Sequence, residues 1–201
     1  MIPNDLCAVI LAGGRSRRMG VNKALLKVGG QPLIQKLIDR VLPLTPRILI
    51  SSNDAASYRF LKLPVVPDCF MDRGPLAGIH AVMKQNACSL YIVLACDLPN
   101  LRDQILPRFL EIAEGFDAVI PRTTDGVAHP LCAIYRRSCL PVIEHALKRG
   151  DSKVIEAFLN PSLSIRWVDP DEGLFIDSDL ANINTPEDLH RLNSSSSEPM
   201  R

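Results

Sequence analysis

The segment from residue 8 to residue 23 reads Ala-Val-Ile-Leu-Ala-Gly-Gly-Arg-Ser-Arg-Arg-Met-Gly-Val-Asn-Lys. Its apolar beginning, Ala8 to Leu11, predicts a buried strand that opens into a pair of glycines. Gly13 and Gly14 have no Cβ, so the main chain there can bring its N–H groups close to phosphate oxygens. The arginines and the lysine that follow add positive charge at the same place. The segment therefore predicts a strand and a loop that binds a polyanion, such as a nucleoside triphosphate.

Two familiar phosphate-binding motifs do not fit this loop. A Walker A loop has a lysine directly after its last glycine, whereas Val21 follows Gly20 here. The dinucleotide fingerprint Gly-x-Gly-x-x-Gly starts at neither Gly13 nor Gly14. A pair of glycines alone is also typical of a basic surface turn between a strand and a helix, so the interpretation depends on the whole run.

Composition narrows the class of protein. The chain has 201 residues, 47% of them hydrophobic, and a net charge of +1, which predicts a single domain with a substantial core over residues 1–193. The serine-rich end, residues 194–201, is expected to be a disordered tail. The near-zero net charge predicts no general attraction to nucleic acid, and no apolar run reaches the ~20 residues that a membrane span needs. We also expect no signal peptide, because no basic stretch precedes the first short apolar run. We therefore expect a cytoplasmic protein with neither nucleic acid nor membrane as partner.

The cysteines do not indicate a metal or disulfide framework. Six are present, without Cys-x-x-Cys spacing, and several lie inside apolar runs. A free buried thiol behaves there as a small hydrophobic side chain.

Strand-like and helix-like segments alternate along the chain. Strands are predicted at 8–11, 47–51, 65–66, 90–95, 118–120, 131–135 and 165–168, and helices at 32–41, 77–85, 103–114, 141–148 and 153–158. This alternation predicts a three-layer α/β fold with a mostly parallel sheet. Ligands of such sheets gather outside the carboxyl ends of the strands. That rule places the Gly13-Gly14 loop and Asp97 on one rim.

Two further segments carry candidate chemistry. Asp97 follows the apolar run 90–96, and a carboxylate there must be paired, capping or metal-bound because burying an unpaired charge is costly. Magnesium takes one or two carboxylates together with phosphate oxygens and water, although Asp97 could also be a turn or N-cap residue. Residues 73–78, Arg-Gly-Pro-Leu-Ala-Gly, predict a tight turn that leads into a helix N-terminus, which favours an anion or serves structure alone.

The run from Leu11 to Lys23 resembles the Leu-Ala-Gly-Gly-x-Ser-x-Arg-Met-Gly-x-x-Lys signature of nucleotidyltransferases, and within them the molybdenum cofactor guanylyltransferase family. The resemblance extends from residue 8 to about residue 192 and includes Gly74–Gly78, the Cys-Asp-x-Pro segment at Asp97 and residues 182–187, Asn-Ile-Asn-Thr-Pro-Glu. It implies a Rossmann-like fold of the nucleotide-diphospho-sugar transferase type. It also implies a Mg²⁺-dependent enzyme that transfers GMP from GTP to the phosphate of molybdopterin or the molybdenum cofactor, releasing pyrophosphate.

The resemblance assigns roles to particular residues. The implied catalytic residues are Arg18, Lys23 and Asp97, with Asp97 as the metal ligand. The implied GTP-binding residues are Leu11, Ala12, Gly13, Gly14, Arg18, Lys23, Asn53, Asp68 and Asp97. The implied residues on the acceptor side are Gly74, Gly78, His129, Asn182 and Asn184.

The chain departs from the family pattern in two places. Asn22 stands where the family usually has aspartate before the lysine, and one family asparagine near the guanine aligns with Ser51. Two alternatives therefore stay open. One is a cytidylyl- or sugar-phosphate nucleotidyltransferase on the same fold. The other is a non-catalytic GTP-binding adaptor, with Asn22 marking lost activity, that delivers cofactor. Cofactor-insertion proteins and apo-molybdoenzymes are the partners that the family implies.

Overall fold

The structure is a computed structural model that describes residues 5–13, 22–183, 185, 187 and 188. In chain order its main elements are β1 (Leu6–Leu11), β2 (Lys27–Val28), β3 (Gln31–Pro32), α1 (Leu33–Val41), β4 (Ile48–Ser51), β5 (Val65–Val66), α2 (Gly74–Gln85), β6 (Leu90–Ala95), α3 (Ile105–Glu111), β7 (Ala118–Pro121), β8 (Cys132–Arg136), α4 (Leu140–Arg149), α5 (Val154–Phe158) and β9 (Ile165–Val168). Short 3₁₀ helices include Lys23–Leu25, Ala56–Leu61 and Asp177–Leu180. The predicted tail, residues 194–201, lies outside the described residues.

The central sheet has seven strands in the order β5-β4-β1-β6-β8-β7-β9. Strand β8 is antiparallel to β6 and β7, whereas the other pairings in this sheet are parallel. The predicted mostly parallel α/β sheet is therefore confirmed. A second, two-stranded sheet of β2 and β3 follows the first loop and was not predicted, because Lys-Val and Gln-Pro lack the β-branched apolar pair that marks β5.

Helices cover both faces of the sheet. In β1, Ala8 and Ile10 pack into a core with α1 and α3, whereas Cys7 and Val9 pack into a second core with α2, α4 and α5. Burial on both faces explains why β1 and β6 are continuously apolar instead of alternating. The three-layer arrangement follows from these two cores.

This topology brings the ends of distant segments to one edge. The carboxyl ends of β1, β4, β5, β6 and β7 all lie there, and β8 begins there because it runs the opposite way. The residues that leave these ends form what we call the rim. Within the described part of the chain, no helix is long and apolar enough to cross a membrane.

Helix α2 approaches the sheet closely at Gly78. A Cβ on Gly78 would lie 2.2 Å from Ser51 Oγ and 3.1 Å from Leu11 Cδ2. Gly78 is buried, so packing accounts for this glycine. Its predicted contact with the acceptor stays a prediction, and one that its burial argues against.

We expect Gly78→Ala to destabilise the protein by about 1–3 kcal/mol because the added methyl group overpacks the helix against β4. A thermal melt should show Tm falling by roughly 2–10 °C. The double variant Gly78→Ala/Ser51→Ala lacks Ser51 Oγ, the atom nearest to the added methyl group, and should recover part of the lost Tm. A single variant that melts at or above the wild-type temperature would contradict this account of the packing.

Candidate functional site

Three segments that are far apart in sequence meet on the rim. Lys23, at the start of its 3₁₀ helix, donates a hydrogen bond from Nζ to the main-chain oxygen of Ile183 at 2.7 Å. The main-chain N–H of Ile183 in turn donates to the main-chain oxygen of Asp97 at 2.9 Å. The end of the first loop, the end of β6 and the segment before residue 184 therefore form one cluster.

The Asp97 carboxylate is the most unusual group in this cluster. Its Oδ1 is buried and has no hydrogen-bond partner among the described residues. Burial raises the pKa of Asp97, and the nearby Lys23 ammonium partly opposes this effect. A buried carboxylate oxygen without a donor is costly unless a cation approaches it.

The single carboxylate at Asp97 suits a hard cation whose remaining ligands come from a bound nucleotide and from water. Among the described residues there is no group of three or more His, Cys, Asp or Glu side chains that could hold a metal. The protein would thus supply one carboxylate oxygen, and phosphate oxygens and water would supply the rest. Magnesium in nucleotide sites is bound in this way.

Asn53 and Asp68 form a reciprocal pair beyond the ends of β4 and β5. Asn53 Nδ2 donates to Asp68 Oδ2 at 2.9 Å, and the Asp68 N–H donates to Asn53 Oδ1 at 2.8 Å. Burial raises the pKa of Asp68, while the bond from Asn53 lowers it. The structure thus brings these two predicted GTP-binding residues together on the rim. Ser51, where a family asparagine aligns, is instead buried at the last position of β4.

The start of the first loop lies between β4 and β6. The Ala12 N–H donates to the Ser51 oxygen at 3.0 Å, and the Cys96 N–H donates to the Leu11 oxygen at 3.4 Å. Leu11 and Ala12 are buried, whereas Gly13 is exposed. Gly14, Arg18 and Asn184 lie outside the described residues, so their predicted roles stay predictions.

Helix α2 begins on the same side of the sheet. Its first residue, Gly74, has a φ of +61°, a left-handed conformation that favours glycine. Arg73 donates from Nη1 to the Gly150 oxygen at 2.8 Å, and no side chain caps the first turn of α2. A phosphate contact at this helix start stays a prediction.

His129 and Asn182 also lie near the rim. The N–H of His129 donates to the Pro121 oxygen at 2.9 Å, and its oxygen accepts from Cys132 N–H at 3.0 Å, which fixes the turn into β8. Burial lowers the pKa of His129, so the neutral imidazole is favoured at pH 7. Asn182 is exposed beside Ile183. Whether either contacts an acceptor stays a prediction.

Two rim features escaped prediction from the sequence. Arg122 at the end of β7 donates from Nε and Nη2 to both carboxylate oxygens of Asp169, at 3.0 and 2.8 Å, and lies 5.2 Å from the Trp167 ring centroid. Charged residues directly after the buried strands β7 and β9 are the same signal that singled out Asp97, and it could have found this pair. The other feature is Tyr58, whose hydroxyl bonds to the Ala12 oxygen and to Asn22, and it has no such signal.

Comparison with known proteins identifies the family. Residues 8–163 match the MobA-like NTP transferase domain. The chain belongs to this family. A probable molybdenum cofactor guanylyltransferase of Pelotomaculum thermopropionicum is 37% identical over 185 residues, which cover 90% of this chain and 88% of that protein. The molybdenum cofactor guanylyltransferase of Vibrio cholerae is 35% identical over 195 residues, covering 93% and 91% of the two chains.

Solved structures agree with this MobA-like assignment. Molybdopterin-guanine dinucleotide biosynthesis protein A of Archaeoglobus fulgidus superposes with a TM-score of 0.79 at 26% identity, covering 94% of this chain and 98% of that chain. A CMP-2-keto-3-deoxy-manno-octonic acid synthetase solved with CTP gives a TM-score of 0.75 at 16% identity, covering 96% and 98%. The second likeness shows the fold alone, and together the two superpositions confirm the predicted fold of the nucleotide-diphospho-sugar transferase type.

Proposed function

We propose that this chain transfers GMP from GTP to the phosphate of molybdopterin or the molybdenum cofactor, forming the guanine dinucleotide and pyrophosphate. The names of its relatives support the substrates. The cluster on the rim supports the chemistry, because Ile183 bonds through its main chain to both Lys23 Nζ and the main-chain oxygen of Asp97. The Lys23 ammonium is also close enough to the buried Asp97 carboxylate to lower its pKa. That juxtaposition of Lys23 and Asp97 is the observation that carries the proposal.

The reaction is an in-line displacement. An oxygen of the acceptor phosphate attacks the α-phosphorus of GTP, the bond from that phosphorus to the bridging oxygen breaks, and the electron pair leaves with pyrophosphate. The acceptor phosphate is already an anion at neutral pH, so neither a nucleophilic side chain nor a strong base is needed. Catalysis then consists of alignment and of neutralising the charge that grows on the leaving group.

Among the described residues, Lys23 is the positively charged side chain that we assign to neutralising the leaving pyrophosphate. Its Nζ is held by the Ile183 oxygen at 2.7 Å, so it is oriented before any nucleotide binds. Arg18 would add a second cation from the first loop. A positioned ammonium group stabilises the leaving pyrophosphate without having to reorganise during the reaction.

Asp97 would hold a magnesium ion in this proposal. Its Oδ1 is buried and has no hydrogen-bond partner in the part of the chain that the structure describes, and this observation supports the role. When bound, magnesium neutralises phosphate charge and orients the triphosphate. Burial shields the Asp97 carboxylate from water and raises its pKa, and the neighbouring Lys23 ammonium partly offsets this and so favours the ionised form that would hold the metal.

The nucleotide is tested by measuring pyrophosphate release from the purified protein with Mg²⁺ and molybdopterin, comparing GTP, CTP, ATP and UTP. We expect GTP-selective release that requires the acceptor and stops when EDTA is added. Selective release from CTP would show that the protein is a nucleotidyltransferase of this fold with CTP, not GTP, as its substrate. If the protein binds GTP but releases pyrophosphate from none of the four nucleotides, it is a non-catalytic GTP-binding adaptor and not an enzyme.

A further inference from the structure

Tyr58 connects the two described flanks of the first loop. It belongs to the 3₁₀ helix Ala56–Leu61 and is only 1% exposed. Its hydroxyl donates to the main-chain oxygen of Ala12 at 2.8 Å. The same hydroxyl oxygen accepts a hydrogen bond from Asn22 Nδ2 at 2.8 Å. One phenol therefore joins residue 12, where the chain leaves β1, to residue 22, which precedes Lys23.

The orientation of the Asn22 amide is fixed independently. Its Oδ1 accepts a hydrogen bond from the Ala24 N–H at 3.1 Å, capping the 3₁₀ helix that carries Lys23. The Nδ2 group then faces Tyr58 at 2.8 Å. Asn22 Oδ1 lies 3.2 Å from the same hydroxyl, farther than the Ala12 oxygen at 2.8 Å, so the Ala12 oxygen is the closer acceptor of the phenol hydrogen. Asn22 thus acts as an acceptor toward Ala24 and as a donor toward Tyr58, and it needs both functions at once.

A count of hydrogens explains why an amide suits this position. A phenol has one hydrogen to donate, and burial raises the pKa of Tyr58, so the phenol keeps it at neutral pH. Because Asn22 supplies its own hydrogen, the phenol hydrogen is available for the Ala12 oxygen. An aspartate has no hydrogen to supply, so its carboxylate and the Ala12 oxygen would compete for the single phenol hydrogen.

We propose that Tyr58 and Asn22 form a positioning device for the nucleotide site, in which the amide of Asn22 lets one phenol hold Ala12 and the Lys23 helix together. Tyr58 is thus a positioning residue, acting through the loop flanks and Lys23. This inference rests on the proposed function for its kinetic readout. It also reverses the interpretation of Asn22 as a mark of lost activity.

The first test compares two buried tyrosines. Tyr58→Phe should lower kcat/KM for GTP about tenfold, because the Ala12 oxygen and the Asn22 amide each lose a partner. It should also speed amide hydrogen exchange in peptides that cover residues 12–24. Tyr91→Phe is the matched control, since Tyr91 is fully buried and its hydroxyl donates to the Asn86 oxygen, outside the rim. Equal effects of the two variants on kinetics and exchange would overturn the proposal.

The second test is a double-mutant cycle. Asn22→Asp restores the residue usual in the family, yet here it should lower kcat/KM about tenfold. In the Tyr58→Phe background the same substitution should cost no more than about twofold, because no phenol hydrogen is left to compete for. If the new charge acts by repelling the triphosphate alone, the penalty will be equal in both backgrounds, and the proposal fails. This comparison does not require the variants to match wild-type stability, since it measures a difference of differences.

The hydrogen-exchange readout separates this inference from the proposed function. It uses no nucleotide, so it tests the link between Ala12, Asn22 and Tyr58 even if GTP proves to be the wrong substrate. If Tyr58→Phe exchanges faster but the wild type has no GTP-dependent activity, the proposed function is wrong and the hydrogen-bonded link between Ala12, Asn22 and Tyr58 is supported. If exchange in Tyr58→Phe is unchanged while the wild type is fully active with GTP, the link is overturned and the proposed function stands.

Discussion

Replacing Asp97 by asparagine should lower kcat/KM for GTP-dependent pyrophosphate release by about 10³-fold, since it removes the charge that we propose holds magnesium. The same variant should be more thermostable than the wild type. Asparagine keeps the size of the side chain but does not bury an ionised oxygen without a partner, as Oδ1 of Asp97 does. Steady-state kinetics and a thermal melt in EDTA measure the two effects.

The sign of the stability change follows from the pKa. Burial raises the pKa of Asp97 above its ordinary value of 3.8, so the folded state binds the proton more tightly than the unfolded state. The resulting stability is present below about pH 3.8 and is lost as the pH rises through the folded pKa. At neutral pH the ionised Asp97 therefore costs free energy, and the variant should gain a few degrees, about 2–4 °C for each kcal/mol.

Asp103→Asn is the matched control for Asp97→Asn. Asp103 lies on the same connection after β6, but its side chain is 87% exposed and pairs with Arg40 at 3.2 Å. Such exposed pairs contribute little, so activity and Tm should stay close to the wild type. If Asp97→Asn keeps wild-type activity, Asp97 is not the magnesium ligand. A lower Tm would show that the carboxylate is satisfied in the apoprotein.

Replacing Lys23 by methionine should lower kcat/KM about 10²- to 10³-fold, the range found when one positioned charge-stabilising donor is removed. Methionine fills a similar volume without the ammonium group. The loss should fall mainly on kcat, because the charge that Lys23 neutralises grows on the leaving pyrophosphate. Removing Lys23 also raises the pKa of Asp97 further, so the variant should need more Mg²⁺ for half-maximal rate.

Two companion variants separate position from charge. Lys23→Arg keeps the charge but not the single, compact donor that reaches the Ile183 oxygen, so we expect partial activity. Lys84→Met removes an exposed lysine that pairs with Glu144 on α4 and should leave kinetics unchanged. If Lys23→Met keeps more than a third of wild-type kcat/KM, the ammonium group does not stabilise the leaving group.

Much of the fold could be predicted because strands buried on both faces leave a strong signal. The bounds of β6 and β9 match the predicted ranges, α1 begins one residue later than predicted, and α4 extends one residue further at each end. Helix α2 begins at Gly74, earlier than predicted, since glycine and proline together are also typical of a turn. The antiparallel direction of β8 could not be predicted, because an apolar run does not indicate which way a strand runs.

The site could be predicted where a side chain carries its own chemical signal at a strand end. The rule for parallel sheets placed Asp97 beside the first loop, and the structure brings it to Lys23 through Ile183. Ile183 itself contributes only main-chain atoms, which no residue type can indicate. Tyr58 escaped prediction because its partners are a main-chain oxygen and an amide more than thirty positions away.

The central claim is that this site transfers the α-phosphoryl group of GTP with its nucleoside. The most direct measurement incubates the protein with Mg²⁺, molybdopterin and GTP that carries a radioactive label at either the α- or the γ-phosphorus. The account predicts that the α-label enters the cofactor product, while the γ-label appears in pyrophosphate and not in the cofactor. Bound GTP that stays intact, or α-label that enters the cofactor from CTP and not from GTP, would contradict it.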